Sequence, residues 1–309
     1  MTDPSAASDW RPAATAAGAP DAPESVFEPV PLEPAPPPAR NGRAGRDLPM
    51  AIAVGVGLVA LVVAALLVVK VAFVVLACVA LVLALWELGN AFAAKGIRLP
   101  VVPVAVGGVA MLVAAYVAGA DALVVALGAT VLATLAWGSR ATRESYLRDA
   151  TAGVFAAVYL PFLAGFAMLL LAAGDGPRRV LVFILLTVCS DVGGYATGVL
   201  AGRHPMAPTV SPKKSWEGFA GSVGACTIAG SLAVPWLLGG PAWVGALAGS
   251  AAAASATLGD LGESLLKRDL GIKDMGTLLP GHGGIMDRLD SLLPTAAVTW
   301  VLMTALLPR

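Results

Sequence analysis

Nine apolar runs, each close to the length that a helix needs to cross a bilayer, dominate this sequence. They lie at residues 50–69, 72–92, 100–119, 121–137, 152–174, 180–202, 218–239, 241–259 and 285–307. About 20 apolar residues cross the hydrocarbon core as an α-helix, and backbone groups inside that core are satisfied only in helices or closed barrels. Because 58% of the residues are hydrophobic and 13% are charged, we predict an all-α, polytopic integral membrane protein with about nine transmembrane helices.

The N-terminal segment 1–46 differs from the rest of the chain. It is rich in Pro, Ala and acidic residues and contains no apolar run. Such a composition cannot bury enough apolar surface to offset the entropy of ordering, so we predict a disordered cytoplasmic tail. We divide the remainder into N-terminal transmembrane helices at 47–150 and a C-terminal transmembrane region at 151–309, which holds the polar clusters described below. The formal net charge is zero, so no overall field favours nucleic acid as a partner.

The loop charges predict the orientation of the chain, because cytoplasmic loops carry an excess of Lys and Arg. With the N-terminus inside, the cytoplasmic segments hold Arg40, Arg43, Arg46, Lys95, Arg98, Arg140, Arg143, Arg148, Arg203, Lys213, Lys214, Lys267, Arg268, Lys273 and Arg288. The opposite segments hold only Lys70, Arg178, Arg179 and Arg309. We therefore predict a cytoplasmic N-terminus and an external C-terminus, with polar loops at 203–217 and 260–287 on the cytoplasmic side of the cell membrane.

Two polar clusters lie around the sixth and seventh runs. Asp191 stands within an apolar run with Tyr195 one helical turn later, and an intramembrane Asp is a candidate functional group. The alternative is an Asp that bonds a neighbouring helix for structure alone. In the next loop, Lys213 and Lys214 follow Ser211 and supply point charges that suit phosphate. A Lys pair at a membrane edge is also a common topology determinant.

A third cluster follows the eighth run. If the chain stays helical there, Asp260, Ser264 and Lys267 share one face, and Glu263 and Arg268 border it. A carboxylate, a hydroxyl and an ammonium then point the same way. The alternative is a ladder of surface ion pairs, which is less attractive because the helix is emerging from lipid.

The fourth cluster is a glycine-rich loop followed by a helix start. Pro280–Gly284 contains three glycines and His282, so its backbone can come close to a ligand. Asp287 and Asp290 then present two carboxylates on one face of the following helix. Hard oxygen ligands of this kind suit Mg²⁺ that is shared with substrate phosphates. A lone His of this type is as often structural as functional.

Taken together, the third and fourth clusters resemble the C-terminal signature of the CDP-diglyceride synthetases, also called phosphatidate cytidylyltransferases. The pattern Ser-x-x-Lys-Arg, four residues, Lys-Asp, then Pro-Gly-His-Gly-Gly-x-x-Asp-Arg-x-Asp-Ser is matched without a break from Ser264 to Ser291. The segment Ser211–Gly218 also resembles that family, as does Asp191 with its neighbours. These motifs cover about the last 120 residues.

The resemblance implies an enzyme that converts phosphatidate and CTP to CDP-diacylglycerol and pyrophosphate, with Mg²⁺ as cofactor and one or two cations in the site. It also implies a homodimer. We expect catalytic roles for Lys267, Arg268, Asp287, Arg288 and Asp290. We expect substrate binding by Ser211, Lys213, Lys214, Ser264, Gly281, His282, Gly283 and Gly284. We expect metal binding by Asp191, Asp260, Asp287 and Asp290.

Two other functions stay open at this point. One is a related nucleotide-dependent lipid enzyme, of the polyprenol kinase or CDP-archaeol synthase type. The other is an ion-coupled transporter in which Asp191, Asp260 and Asp287 line a translocation path. A transporter predicts polar residues distributed through the depth of several spans and inverted repeats. The charges here cluster at the ends of the last four runs instead.

Overall fold

The computed structural model describes residues 48–138, 145–276, 278 and 283–307. The predicted tail therefore lies outside the described residues, as do Gly281 and His282. The helices of the first half are α1 (Leu48–Val68), α2 (Lys70–Ala93), α3 (Val101–Ala118), α4 (Ala120–Gly138), α5 (Tyr146–Ala157) and α6 (Leu163–Ala172). A π-helical turn at Val158–Phe162, which contains Pro161, joins α5 to α6, so that 146–172 forms one continuous span.

The second half contains the remaining helices and a β-hairpin. In chain order they are α7 (Gly176–Ala201), β1 (Pro205–Ala207), β2 (Ser211–Ser215), α8 (Trp216–Leu238), α9 (Ala242–Leu270), α10 (Met286–Leu289) and α11 (Leu292–Leu306). Within the described residues, eight helical spans are long and apolar enough to cross a membrane, and α1 adds a further apolar helix. The predicted all-α membrane fold is confirmed.

Three details differ from the sequence-based expectation. Helix α9, which corresponds to the eighth apolar run, does not stop at residue 259 but continues to Leu270, where Gly271 ends it with a φ of 68°. The predicted polar loop that began at 260 is therefore shorter and starts after this helix. The last span is divided into α10 and α11 by a turn at Asp290–Ser291. The loop before α8 contains the antiparallel pair β1–β2, which no helical pattern predicts.

Close packing of α7 against α8 depends on small residues. A Cβ atom on Gly194 would overlap the Ser222 hydroxyl, and one on Gly193 would come within 2.6 Å of the Ala225 methyl. Gly198 differs, because a Cβ there would make only ordinary contacts at 3.7 Å or more. Glycines recur at every fourth position as Gly194, Gly198 and Gly202, and Gly198 is the one of these three at which a Cβ atom would fit. The small residues allow the two backbones to approach closely, as expected for helices in lipid.

Candidate functional site

A cavity of about 440 Å³ opens where α7, α8, α9, α10 and the hairpin meet. The charged residues that line it are Asp191, Lys213, Lys214, Asp260, Asp287, Arg288 and Asp290. These seven residues therefore face one space, although they come from four separate segments of the chain. Each of them was predicted from the sequence as a candidate site residue. A larger cavity of about 610 Å³ between α2 and α3 is lined by apolar side chains and by Cys78 and Tyr116, so it brings no charges together.

The two lysines of the hairpin reach this cavity from β2. The Lys214 ammonium lies 2.5 Å from Asp260 Oδ2 on α9, and both side chains are partly exposed. The ion pair thus joins the hairpin to the helix that carries the third sequence cluster. Attraction between partly solvated charges is modest, so a polyanionic ligand can compete for the lysine.

The base of the hairpin is held by Glu217 in the first turn of α8. Its Oε2 accepts hydrogen bonds from the backbone N–H groups of Arg203 and His204, at 3.1 and 3.2 Å, and its Oε1 lies 2.5 Å from His204 Nδ1. Ser215 caps the helix, because its Oγ accepts the Gly218 N–H. These contacts fix the two ends of the hairpin, before β1 and after β2, and therefore restrict where the lysines of β2 lie.

Asp287 is the most extensively bonded carboxylate of the site. Its Oδ1 lies 2.7 Å from Lys267 Nζ, and its Oδ2 accepts the N–H groups of Met275 and Gly284 at 3.1 and 2.9 Å. Lys267 also lies 3.3 Å from Glu263 Oε2, one helical turn earlier on α9. Glu263 is completely buried. The lysine is therefore held between two carboxylates, and Asp287 is held by both the lysine and the loop backbone.

Several predicted site residues lie beside the cavity rather than on its wall. The residues in this group that the structure describes are Ser211, Ser264, Lys267, Arg268, Gly283 and Gly284. Arg268 donates from Nε to the Val210 carbonyl at 3.2 Å, which ties α9 to the hairpin. Gly283 has a φ of 84°, and its neighbour Gly284 binds Asp287. Arg268 and Gly284 therefore help to hold the hairpin and Asp287 in place without lining the cavity themselves.

Other residues at or near the site were not among the candidates. Thr257 and Ser291 line the cavity, and Glu87 of α2 lies against the loop that precedes α10. Glu263 was considered only as a border residue of its helix face. The general rule that an ionisable residue inside an apolar run is functional by default, applied to Asp191, would also have selected Glu87. The sequence alone contains no signal that pairs residue 87 with residue 286.

The cavity suits a cation only if a ligand shares it. Among the described residues, no three His, Cys, Asp or Glu side chains stand close enough together to hold a metal ion by themselves. Asp191, Asp260 and Asp290 nevertheless face the same space. Mg²⁺ is commonly bound through one or two carboxylates, with water and substrate phosphates completing its octahedron. The residues present fit that mode of binding.

The fold and site define a polytopic membrane protein with a cavity lined by three cationic and four acidic side chains. The chain belongs to the cytidylyltransferase family, whose model matches residues 50–306. It is 44% identical to the phosphatidate cytidylyltransferase of Mycobacterium leprae over 280 residues, which cover 85% of this chain and 90% of that protein. The protein of the same name from Mycobacterium tuberculosis H37Rv is 41% identical over 283 residues, or 87% of this chain and 86% of the relative.

A more distant relative matches over a shorter length. The phosphatidate cytidylyltransferase of Synechocystis is 43% identical over 137 residues, which cover 43% of this chain and 46% of that protein. Family membership confirms the resemblance that the motifs of the last 120 residues predicted. It also extends the relationship to the N-terminal helices, where no motif had been found. The alternative interpretations, as an enzyme of the polyprenol kinase or CDP-archaeol synthase type or as an ion-coupled transporter, are not favoured.

Proposed function

We propose that this protein is an enzyme that transfers a cytidylyl group from CTP to phosphatidate in the membrane. The products are CDP-diacylglycerol and pyrophosphate, and the first of these serves phospholipid synthesis. The observation that carries the proposal is the convergence of Asp191, Asp260, Asp290, Lys213 and Arg288 on one cavity in a member of the cytidylyltransferase family. The names of the mycobacterial relatives indicate the same activity.

The reaction is a displacement at the α-phosphorus of CTP. A phosphate oxygen of phosphatidate forms the new bond, the bond from the α-phosphorus to the bridging oxygen of the β-phosphate breaks, and pyrophosphate leaves with that electron pair. The nucleophile is already anionic, so no protein base has to create it. The task of the site is to position two polyanions and to neutralise their charge.

The charged residues divide this task by position. Lys213, Lys214 and Arg288 face the cavity and would contact phosphate oxygens. Lys267 contacts Asp287 and Glu263, so without substrate it would hold Asp287 in position. When CTP is bound, its ammonium group would contact a phosphate oxygen instead.

Carboxylates on the same wall would hold the cation. Asp191, Asp260 and Asp290, with Asp287 beside them, would hold Mg²⁺, and a second cation where the phosphates require one. The bound cation would supply positive charge to the phosphates of CTP.

The lipid would enter sideways from the bilayer. Tyr195 lines the cavity yet is 76% exposed, and Val192 and Val199 on the same helix are also exposed. An apolar surface beside a charged cavity allows the acyl chains to stay in lipid while the headgroup reaches the lysines. We further propose that the cavity faces the cytoplasm across the cell membrane, and that the chain assembles as a homodimer.

The direct test is turnover by purified protein in detergent with phosphatidate, CTP and Mg²⁺. We expect CDP-diacylglycerol, with labelled CTP giving no product from an isoprenoid alcohol. Asp287→Asn removes the charge beside Lys267 and one acceptor for the loop backbone, so turnover should fall about 100-fold or more. Asp121→Asn, at the exposed start of α4, serves as the matched control and should retain activity. Folded wild-type protein without product, or an active Asp287→Asn variant, contradicts the proposal.

A further inference from the structure

Glu87 is a buried carboxylate in the apolar helix α2, far in sequence from the site. Its side chain is 1% exposed. Its Oε2 accepts the backbone N–H of Met286 at 2.9 Å, across 199 residues of sequence. A carboxyl group in such surroundings is costly unless it is bonded. Since it is bonded to the residue that precedes Asp287, its position bears directly on the site.

The loop backbone fits closely around this carboxyl group. A Cβ atom on Gly276 would overlap Glu87 Oε1 and Cδ, and one on Gly284 would overlap Oε2. The loop therefore approaches the same side chain twice, at Gly276 and again at Gly284. Only glycine leaves the space that the carboxyl group occupies at these two positions.

The opposite side of the same backbone is bonded to Asp287. Met275, adjacent to Gly276, donates its N–H to Asp287, as does Gly284. The segments 275–276 and 284–286 therefore lie between two carboxylates, Glu87 from α2 and Asp287 from α10. One carboxylate anchors the loop to the N-terminal helices, and the other faces the cavity.

We propose that Glu87 is a positioning residue for the reaction, which acts by fixing the loop that orients Asp287 and Arg288. This inference rests on the proposed function. Glu87 does not line the cavity and touches no reacting group. It gives the N-terminal helices a defined part in catalysis, because without its acceptor oxygen the start of α10 loses its hydrogen bond to α2.

The test compares three substitutions of Glu87 in full-length protein in detergent. Glu87→Leu removes the acceptor and Glu87→Asp withdraws it from Met286, so each should lower kcat about 100-fold per folded molecule. Glu87→Gln keeps an acceptor oxygen at the same reach and should stay within about fivefold of wild type. Hydrogen exchange of the peptides that cover 275–287 gives a second readout that needs no substrate. It should be about tenfold faster in the Leu and Asp variants, because the loop opens more often.

Asp149→Leu is the matched control. Asp149 is also a buried carboxylate of the N-terminal half, and its Oδ1 accepts the Arg98 backbone N–H at 3.0 Å, but it does not line the cavity. This variant should lose stability while keeping the kcat of its folded fraction and the exchange rate of 275–287.

The proposal is overturned if Glu87→Asp keeps wild-type kcat and loop exchange. It is also overturned if the Leu and Asp variants only reduce the yield of folded protein, as a merely structural residue would. Should Glu87→Leu not fold, the Asp and Gln pair decides. If wild-type protein makes no CDP-diacylglycerol, the proposed function fails, while the exchange rates still report whether Glu87 holds the loop.

Discussion

At the residue scale, two lysines of the site contact acidic side chains in the absence of substrate. Lys214 contacts Asp260, and Lys267 lies between Asp287 and Glu263. Ammonium groups near lipid are costly when left alone, so each pair keeps a lysine at the cavity at modest cost. A nucleotide triphosphate offers these lysines a partner with more charge. Binding is therefore expected to exchange ion pairs rather than to fill an empty cationic pocket.

Glu263 allows a test of this arrangement. Glu263→Gln replaces a fully buried carboxyl group whose Oε2 lies 3.3 Å from the Lys267 ammonium. Gln has the same shape and keeps an acceptor oxygen beside Lys267, which retains Asp287 as its anion at 2.7 Å, so the thermal midpoint should change little. Turnover should drop about tenfold, because a charge-assisted contact that holds Lys267 is weakened. Thermal unfolding and CDP-diacylglycerol formation, measured on the same preparation, check both expectations.

The control for that substitution is an ion pair away from the cavity. Arg179 Nε lies 2.6 Å from Asp175 Oδ1 at the start of α7. Asp175→Asn should lower the thermal midpoint and leave turnover per folded molecule unchanged. Wild-type turnover in Glu263→Gln would show that Glu263 does not contribute through Lys267.

The sequence predicts those site residues that can be recognised from their immediate neighbours in the chain. Asp191, Asp260, Asp287 and Asp290 were recognisable because charges stand out within or beside apolar runs. Their grouping in one site was expected from the family resemblance, which assigned all four to metal binding. Glu87 stands out in the same way, but its partner is 199 residues away, and only folding brings the two together. Patterns local to the sequence do not encode such a pairing.

At the element scale, α9 and the hairpin organise the site together. α9 continues 11 residues beyond the predicted boundary of 259 to Leu270, so it carries Asp260, Glu263 and Lys267 on one rigid support. The helicity on which the predicted face of Asp260, Ser264 and Lys267 depended is confirmed, although of these three only Asp260 lines the cavity. The hairpin was missed because its strands are three and five residues long, too short for an alternating pattern to be read. Its lysines were still identified from their charge.

Packing between α7 and α8 yields a matched pair of substitutions on one helix. A Cβ atom on Gly221 would overlap the Thr197 side chain and lie 2.8 Å from the Gly193 carbonyl oxygen, whereas one on Gly224 meets nothing within 4 Å. Gly221→Ala should therefore destabilise the protein by about 1–3 kcal/mol through overpacking. Gly224→Ala should stabilise it by up to about 1 kcal/mol, because alanine favours the helix. Unfolding in detergent measures both, and equal midpoints for the two variants would contradict this account of the interface.

At the scale of the whole molecule, the N-terminal helices belong to the functional unit. The family relationship covers residues 50–306, although the recognisable motifs fall in the last 120. The contact between Glu87 and Met286 gives one physical reason for that extent, since α2 reaches the loop beside the cavity. The same contact also shows which parts of the chain lie on the same side of the membrane. The C-terminal end of α2 and the loop that follows α9 lie at the same face of the membrane, as the predicted orientation requires.

Orientation across the membrane can be tested with single cysteines. In a background where Cys78, Cys189 and Cys226 are replaced by alanine, Lys273→Cys places a thiol in the exposed loop after α9, and Gly174→Cys places one between α6 and α7. A Cβ atom at Gly174 meets nothing within 4 Å, so the cysteine should be tolerated. The excess of Lys and Arg on the side of residue 273 predicts that this side is cytoplasmic. An impermeant maleimide added to intact cells should therefore label Gly174→Cys and leave Lys273→Cys unlabelled until the membrane is permeabilised. The reverse pattern would place the charged cavity outside, where CTP is not supplied, and would rule out the proposed orientation.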